Sequence, residues 1–292
     1  MRASWIVGFV AASLGLSACG ATATIHSAVA SLGSSPDVQI HLTGTTSGPG
    51  TAEAQQVLAV MSIDMDFSNP SGAALSQAGT AVNSEVIVNV GAETLADLRD
   101  VSGNVYLMIN PSALTDIPEV TLPTSEVNAL QLLLGGRWFE LKKGFIDSYL
   151  PKTSPTAAET AKEQAVAKEI VDAISKLINT TPYTTLPNGG GFSETGSLEN
   201  VLTTLLPTID SLEGTSTFTP PSVKGNYTMT LTMSGASATG GSIAITAPNG
   251  TQGNVTVGLQ AAVTHNSNSV VAPVGATIVT KALLKELLSQ AS

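Results

Sequence analysis

The sequence predicts an α+β domain built on one mostly antiparallel sheet. Segments in which apolar and polar residues strictly alternate are grouped in the first and last thirds of the chain, while the longest three- and four-residue periodicity falls in the stretch between them. Most of the alternating segments carry one aliphatic face and one polar, often Thr-rich face. Such a sheet has a wet side and a dry side, and the amphipathic helices are the elements available to cover the dry one.

The chain opens with one basic residue, Arg2, and an apolar run from Trp5 to Leu16, the layout of a secretory signal with small residues before its cleavage point. The run is short for a permanent membrane span. Leu16-Ser17-Ala18-Cys19 resembles the bacterial lipobox, which implies diacylglycerol on the Cys19 thiol, removal of residues 1–18 and attachment to the outer face of the cell membrane. The alternative is a plain secretory signal with an incidental cysteine. Cys19 is the single cysteine, so no internal disulfide can form. Residues 19–36 are small and polar, and Ile25, Val29 and Leu32 share a helical face, so this stretch is a tether or a first helix. Residues 37–292 are read as one domain.

Val38, Ile40 and Leu42 alternate on a first strand, and Gly44 to Gly50 reads as a turn. Met61, Ile63, Met65 and Phe67 mark a second strand, ended by Asn69-Pro70-Ser71-Gly72, and Val86, Val88 and Val90 a third. Val105 to Ile109 is apolar on both faces, which predicts a central strand covered from two sides. Gly135-Gly136 reads as a tight turn into a strand beginning near Trp138. A long helix is expected from Thr156 to Ile178, with Val166, Ile170, Ile174 and Leu177 on its buried face, and a second from Ser197, which can cap it, to Leu206. Tyr227, Met229, Leu231 and Met233, then Ile243 and Ile245, then Val255 to Val263, give three further strands. A short amphipathic helix from Lys281 to Leu288 ends the chain.

Composition narrows the function. Apolar residues make up 42% of the chain, and charged residues 12%, about half the usual share. Arg2 is the only charge in residues 1–18, so the remainder carries 11 basic against 22 acidic side chains, a formal net of −11. Nucleic acid is an unsuitable partner for such a surface. With so few carboxylates to protonate, stability should change little as pH falls.

The residues suggest no catalytic constellation. His26, His41 and His265 lack metal-ligand spacing, and His41 falls on the outward face of its strand. There is no Gly-x-Ser-x-Gly elbow and no Ser-x-x-Lys. Asp64 and Asp66 could pair as carboxylates on one strand face, but exposed polar alternation also explains them. Gly189 to Gly196 lacks the lysine of a phosphate-binding loop and reads as a flexible connection. No enzymatic activity, metal or dissociable cofactor is expected. What recurs is the dry face, which holds four of the six methionines. Thioether side chains adapt their shape, which suits an irregular core as well as a greasy ligand.

The succession of segments is similar to the actinobacterial lipid-carrying lipoproteins of the LppX and LprG type, whose architecture resembles that of LolA and LolB. The likeness rests on the lipobox, a helix, the strands Val38 to Thr43 and Met61 to Phe67, and above all Leu98 to Leu141, where Leu98-Arg99-Asp100-Val101-Ser102-Gly103-Asn104-Val105-Tyr106-Leu107 precedes a proline-rich stretch and then Gly136-Arg137-Trp138-Phe139-Glu140-Leu141. The chain departs from that group in its long middle, Pro151 to Pro221. The resemblance implies a curved half-barrel with helices on its concave apolar face and acyl chains between them. Val38, Ile40, Leu42, Met61, Ile63, Met65, Phe67, Met229, Leu231 and Met233 of the dry face, with Val88, Leu107, Ile170 and Ile174, would then line a lipid or glycolipid cavity. The other expectation is an envelope lipoprotein with a filled core and a protein partner.

Overall fold

A computed structural model describes residues 30–78, 81–118, 120–145, 183–203, 224–265, 269–283 and 285. Its centre is a twelve-stranded, mostly antiparallel, curved open sheet with few helices. In chain order the elements are β1 (Asp37–Ser47), α1 (Ala52–Val60), β2 (Met61–Ser68), β3 (Asn83–Val90), β4 (Glu93–Val101), β5 (Asn104–Ile109), α2 (Thr124–Leu134), β6 (Trp138–Leu141), β7 (Tyr183–Thr185), β8 (Gly191–Ser197), β9 (Asn226–Ser234), β10 (Ser237–Pro248), β11 (Asn254–His265) and β12 (Thr277–Ile278). Short 3₁₀ turns cover Leu75–Gln77, Pro111–Asp116 and Pro187–Gly189.

Two meanders make the sheet. β1 to β6 pair in sequence, as do β7 to β11, and β1 joins β11 so that the order runs β12-β6-β5-β4-β3-β2-β1-β11-β10-β9-β8-β7. Every pairing is antiparallel except β12 with β6. The right-handed twist of each strand accumulates across so many neighbours, and a sheet this wide curls rather than lying flat. Register irregularities at Val88/Asn89 and Ala238/Gly240 add local bends. The β4–β5 hairpin closes over Ser102 and Gly103, both at positive φ (53° and 81°), the two-residue turn that matches strand twist.

Alternation along β1, β2, β3, β9, β10 and β11 becomes strands as the sequence predicts. Two expectations are corrected. Gly44 is no turn, because β1 runs on to Ser47 and pairs with β11 as far as Thr256. β5 is not central, since only β6 and β12 separate it from the edge. Its second apolar face holds Tyr106, buried with its hydroxyl donating to Glu140 Oε1 (3.3 Å), and Met108.

Helical cover of the sheet is partial among the described residues. Residues 30–34 form a helical turn whose Leu32 packs on the small core of Phe192, Met233 and Ala238, beside Tyr183 and Leu231. Ser31 Oγ accepts the Ala238 N–H (3.1 Å), and Ser35 Oγ meets His265 Nδ1 (3.0 Å), which pins this turn to the sheet. α1 sets Leu58 over Gly44, where an added Cβ would stand 2.7 Å from its Cδ2, so the glycine is the seat for that side chain. Residues 198–203 are helical behind the predicted cap, Ser197, whose Oγ accepts the Glu199 N–H (3.2 Å). The helix expected from Thr156 to Ile178 lies outside the described residues, as does Cys19 with the segment before it.

Candidate functional site

Register converts the alternating sequence into two continuous faces. On one, Leu107, Leu98, Val86, Met65, Ile40 and Val263 stand opposite one another across six strands. A parallel row carries Val88, Ile63, Leu42, Ala261, Gly241 and Leu231. Val38 pairs with Phe67 at one end, while Met61, Met229 and Met233 occupy the same face of β2 and β9. The predicted dry-face residues on described strands therefore share one side of the sheet. Ile170 and Ile174 lie outside the described residues.

The expected assignment of wet and dry sides is corrected in one respect: burial does not follow polarity. On the apolar side Ile63 is 36% exposed, Leu98 44%, Leu259 43% and Val257 53%. On the polar side Asp66, Asp97, Asn83 and Ser68 are buried. Part of the cause is a C-terminal strap. Val270 donates its N–H to Ser68 Oγ (2.9 Å) and accepts from Asn83 Nδ2 (3.1 Å), Val271 accepts from an Arg99 Nη (3.2 Å), and the chain then reaches β6 as β12.

Beneath the strap the polar side holds a charged row, Tyr106, Arg99, Glu85, Asp66 and Gln39, one residue from each of five adjacent strands. Arg99 pairs with Glu85 (2.7 Å) and forks onto Asp97 (2.9 and 3.3 Å), and its guanidinium lies over the Trp138 ring at 4.6 Å. Asp66 accepts from Gln39 Nε2 (3.2 Å). One cation thus serves several carboxylates. Burial, then the Asp97 charge and bond, push Glu85 up to about 7 against the pull of Arg99. Burial is also the main cause of the upward shift at Asp66, with the Asp64 charge adding to it. Burial works against charge on Arg99, but its bonds to Asp97 and the charge of Glu85 outweigh that and raise it.

Asp64 and Asp66 are split between two networks rather than paired. Asp64 Oδ1 meets His41 Nδ1 at 2.7 Å and Oδ2 accepts from Asn89 Nδ2 at 2.8 Å. His41 is therefore held by a carboxylate, a contact that a strand-by-strand reading misses because it depends on register. His265 is held through both ring nitrogens, by Ser35 Oγ and the Ala238 carbonyl (2.8 Å). Among the described residues no group of three or more His, Cys, Asp and Glu could hold a metal ion.

A buried polar pair lies on the apolar side near the β8 end of the sheet. Leu259, Ile243, Met229 and Glu194 are opposite one another on β11, β10, β9 and β8, and Glu194 is buried. The Tyr227 hydroxyl donates to Glu194 Oε1. The ring reaches it by lying across Gly196, where a Cβ would come within 2.5 Å of the ring edge. The flexible connection expected from Gly189 to Gly196 is corrected: most of it is β8, which the sequence hides because Phe192, Glu194 and Gly196 do not form an apolar alternation.

No family model and no curated protein matches the chain.

Proposed function

We propose that the chain is an extracytoplasmic lipoprotein, held at the membrane through Cys19, whose sheet binds and carries acyl chains against its apolar side, taken as the concave one. The observation that carries this reading is the exposure of Ile63 on β2, Leu98 on β4, and Leu259 and Val257 on β11, three strands within a run of five neighbours in a curved sheet. Apolar side chains left exposed on one face of a sheet are the kind of surface that takes up an apolar ligand. Each methylene taken from water contributes about 0.8 kcal/mol, so a bound tail offsets its extraction from a membrane without charged contacts. The methionines along the wall let it fit tails of different shape. In this reading the charged row on the other side is structural, and transport involves no covalent chemistry.

The test is organic extraction of the purified protein followed by mass spectrometry, with uptake of a radiolabelled acyl lipid measured in parallel. Bound lipid or saturable uptake is expected. Repeated recovery of lipid-free protein that takes up no label overturns the reading.

A second reading, an envelope protein with a protein partner, has its own support in apolar residues off the sheet: Leu132 on α2 is 75% exposed and Val274 on the strap fully so. Polar substitution at Leu132 and Val274 would then abolish partner capture, whereas it leaves lipid uptake intact under the first reading.

A further inference from the structure

The row Leu259, Ile243, Met229, Glu194 is itself amphipathic. Leu259 and Ile243 are 43% and 41% exposed, so one end offers open aliphatic surface. Three strand spacings away, about 14 Å, the other end is a carboxylate that is 5% exposed. A carboxylate withdrawn from water is costly unless its oxygens are hydrogen-bonded, and two oxygens offer about four acceptor sites. Among the described residues the donor that reaches Glu194 is the Tyr227 hydroxyl, bound at Oε1. The chain goes to some length to set this geometry, since Gly196 clears the path of the ring that delivers the hydroxyl. A buried acceptor beside the aliphatic residues of β9 to β11 selects a ligand that brings a donor and rejects one that brings a negative charge.

We propose that Glu194 and Tyr227 form the head-group site for an uncharged, hydroxyl-bearing acyl lipid of the acylglycerol class, whose hydroxyl donates to Glu194 Oε2 while its tail lies along Ile243 and Leu259. The inference rests on the acyl-binding reading above and adds to it the class of head group. Free fatty acids, whose head is an anion and no donor, are discriminated against. Esters that lack a donor bind through the tail alone.

The experiment is displacement of a fluorescent naphthylamine probe from the delipidated full chain by three ligands with the same tail: monopalmitoylglycerol, methyl palmitate and palmitate. Wild-type protein should favour monopalmitoylglycerol over methyl palmitate by about tenfold, the scale of one hydrogen bond to a charged group, with palmitate weakest. Glu194→Gln removes the charge at nearly constant shape and supplies an N–H, so palmitate should gain several-fold while the monoglyceride loses most of its advantage. Glu194→Leu should abolish that advantage, with far-ultraviolet circular dichroism reporting that the sheet is folded. An unaltered ranking of the three ligands in Glu194→Gln overturns the head-group site but leaves acyl binding standing. Failure of all three to displace the probe from wild-type protein overturns the acyl-binding reading itself.

Discussion

The guanidinium of Arg99 stands 4.6 Å over the ring of Trp138, reaching from β4 across β5 to β6. From there it also pairs with Glu85 and Asp97 and donates to the Val271 carbonyl, so one side chain ties three strands and the C-terminal strap together. Replacing it with Met leaves buried carboxylates without their counter-charge, the situation in which loss of one ion-pair partner costs about 3–5 kcal/mol. Against a typical total of about 5–15 kcal/mol that is a large fraction. Urea unfolding should show Arg99→Met destabilised on this scale. Arg99→Lys, which keeps the charge but loses the fork and the flat stacking surface, should fall between it and wild type.

The same cluster gives stability a pH dependence. Glu85 titrates near 7 in the folded chain against 4.5 unperturbed, so between those values the folded state binds more protons than the unfolded one. Its contribution is complete below about pH 4.5 and is lost as pH rises through 7, with a ceiling on the order of 3 kcal/mol. Asp66, raised for the same reason, acts in the same direction. The urea midpoint should therefore be higher at pH 5 than at pH 8. Glu85→Gln should flatten the difference, chiefly by stabilising the protein at pH 8, and Arg99→Met should widen it. A midpoint that climbs from pH 5 to pH 8 would contradict the assignment.

The placement of these charged groups separates what is legible in the sequence from what is not. Composition alone suggested weak pH sensitivity, because it counts carboxylates without placing them. Pairing β2 with β3 and β3 with β4 brings Asp66, Glu85 and Arg99 into one row, although they are 19 and 14 residues apart in the chain. The strands themselves were readable wherever a one-sided aliphatic set survived, as in Val38, Ile40 and Leu42 or Met229, Leu231 and Met233. β8 was unreadable for the reason that makes it interesting: a carboxylate and a glycine replace two of its inward aliphatic residues. The Val105–Ile109 strand misleads in the other direction, since Tyr106 is buried, with its hydroxyl on Glu140, in a strand only two places from the sheet edge.

Gly196 gives a test of the Tyr227–Glu194 geometry that is independent of any ligand. A Cβ there would meet the Tyr227 ring at 2.5 Å, against an ordinary contact of about 3.5–4 Å. Gly196→Ala should displace the ring, break its bond to Glu194 and cost about 1–3 kcal/mol, the usual range for overpacking. Gly144→Ala, where nothing lies within 4 Å, is the matched control and should be near neutral. Near-ultraviolet circular dichroism reports the displaced tyrosine and denaturant titration the loss of stability. Equal stability of the two variants would show that the ring does not rest on Gly196.

Leu98 and Val257 separate a binding wall from a core. Both lie on the apolar side, yet they are 44% and 53% exposed. A lysine at either site can keep its stem on the sheet and its ammonium in water, so folding should change by no more than about 1 kcal/mol. An acyl chain laid over the same place would have to desolvate that ammonium, and one buried unpaired charge outweighs the burial of several methylenes. Leu98→Lys and Val257→Lys should therefore unfold at nearly the wild-type urea concentration while labelled lipid uptake falls at least tenfold. Val38→Lys, at a site 3% exposed, should instead fail by unfolding. If all three variants lose stability alike, the apolar side is packed interior and the wall is not a binding surface.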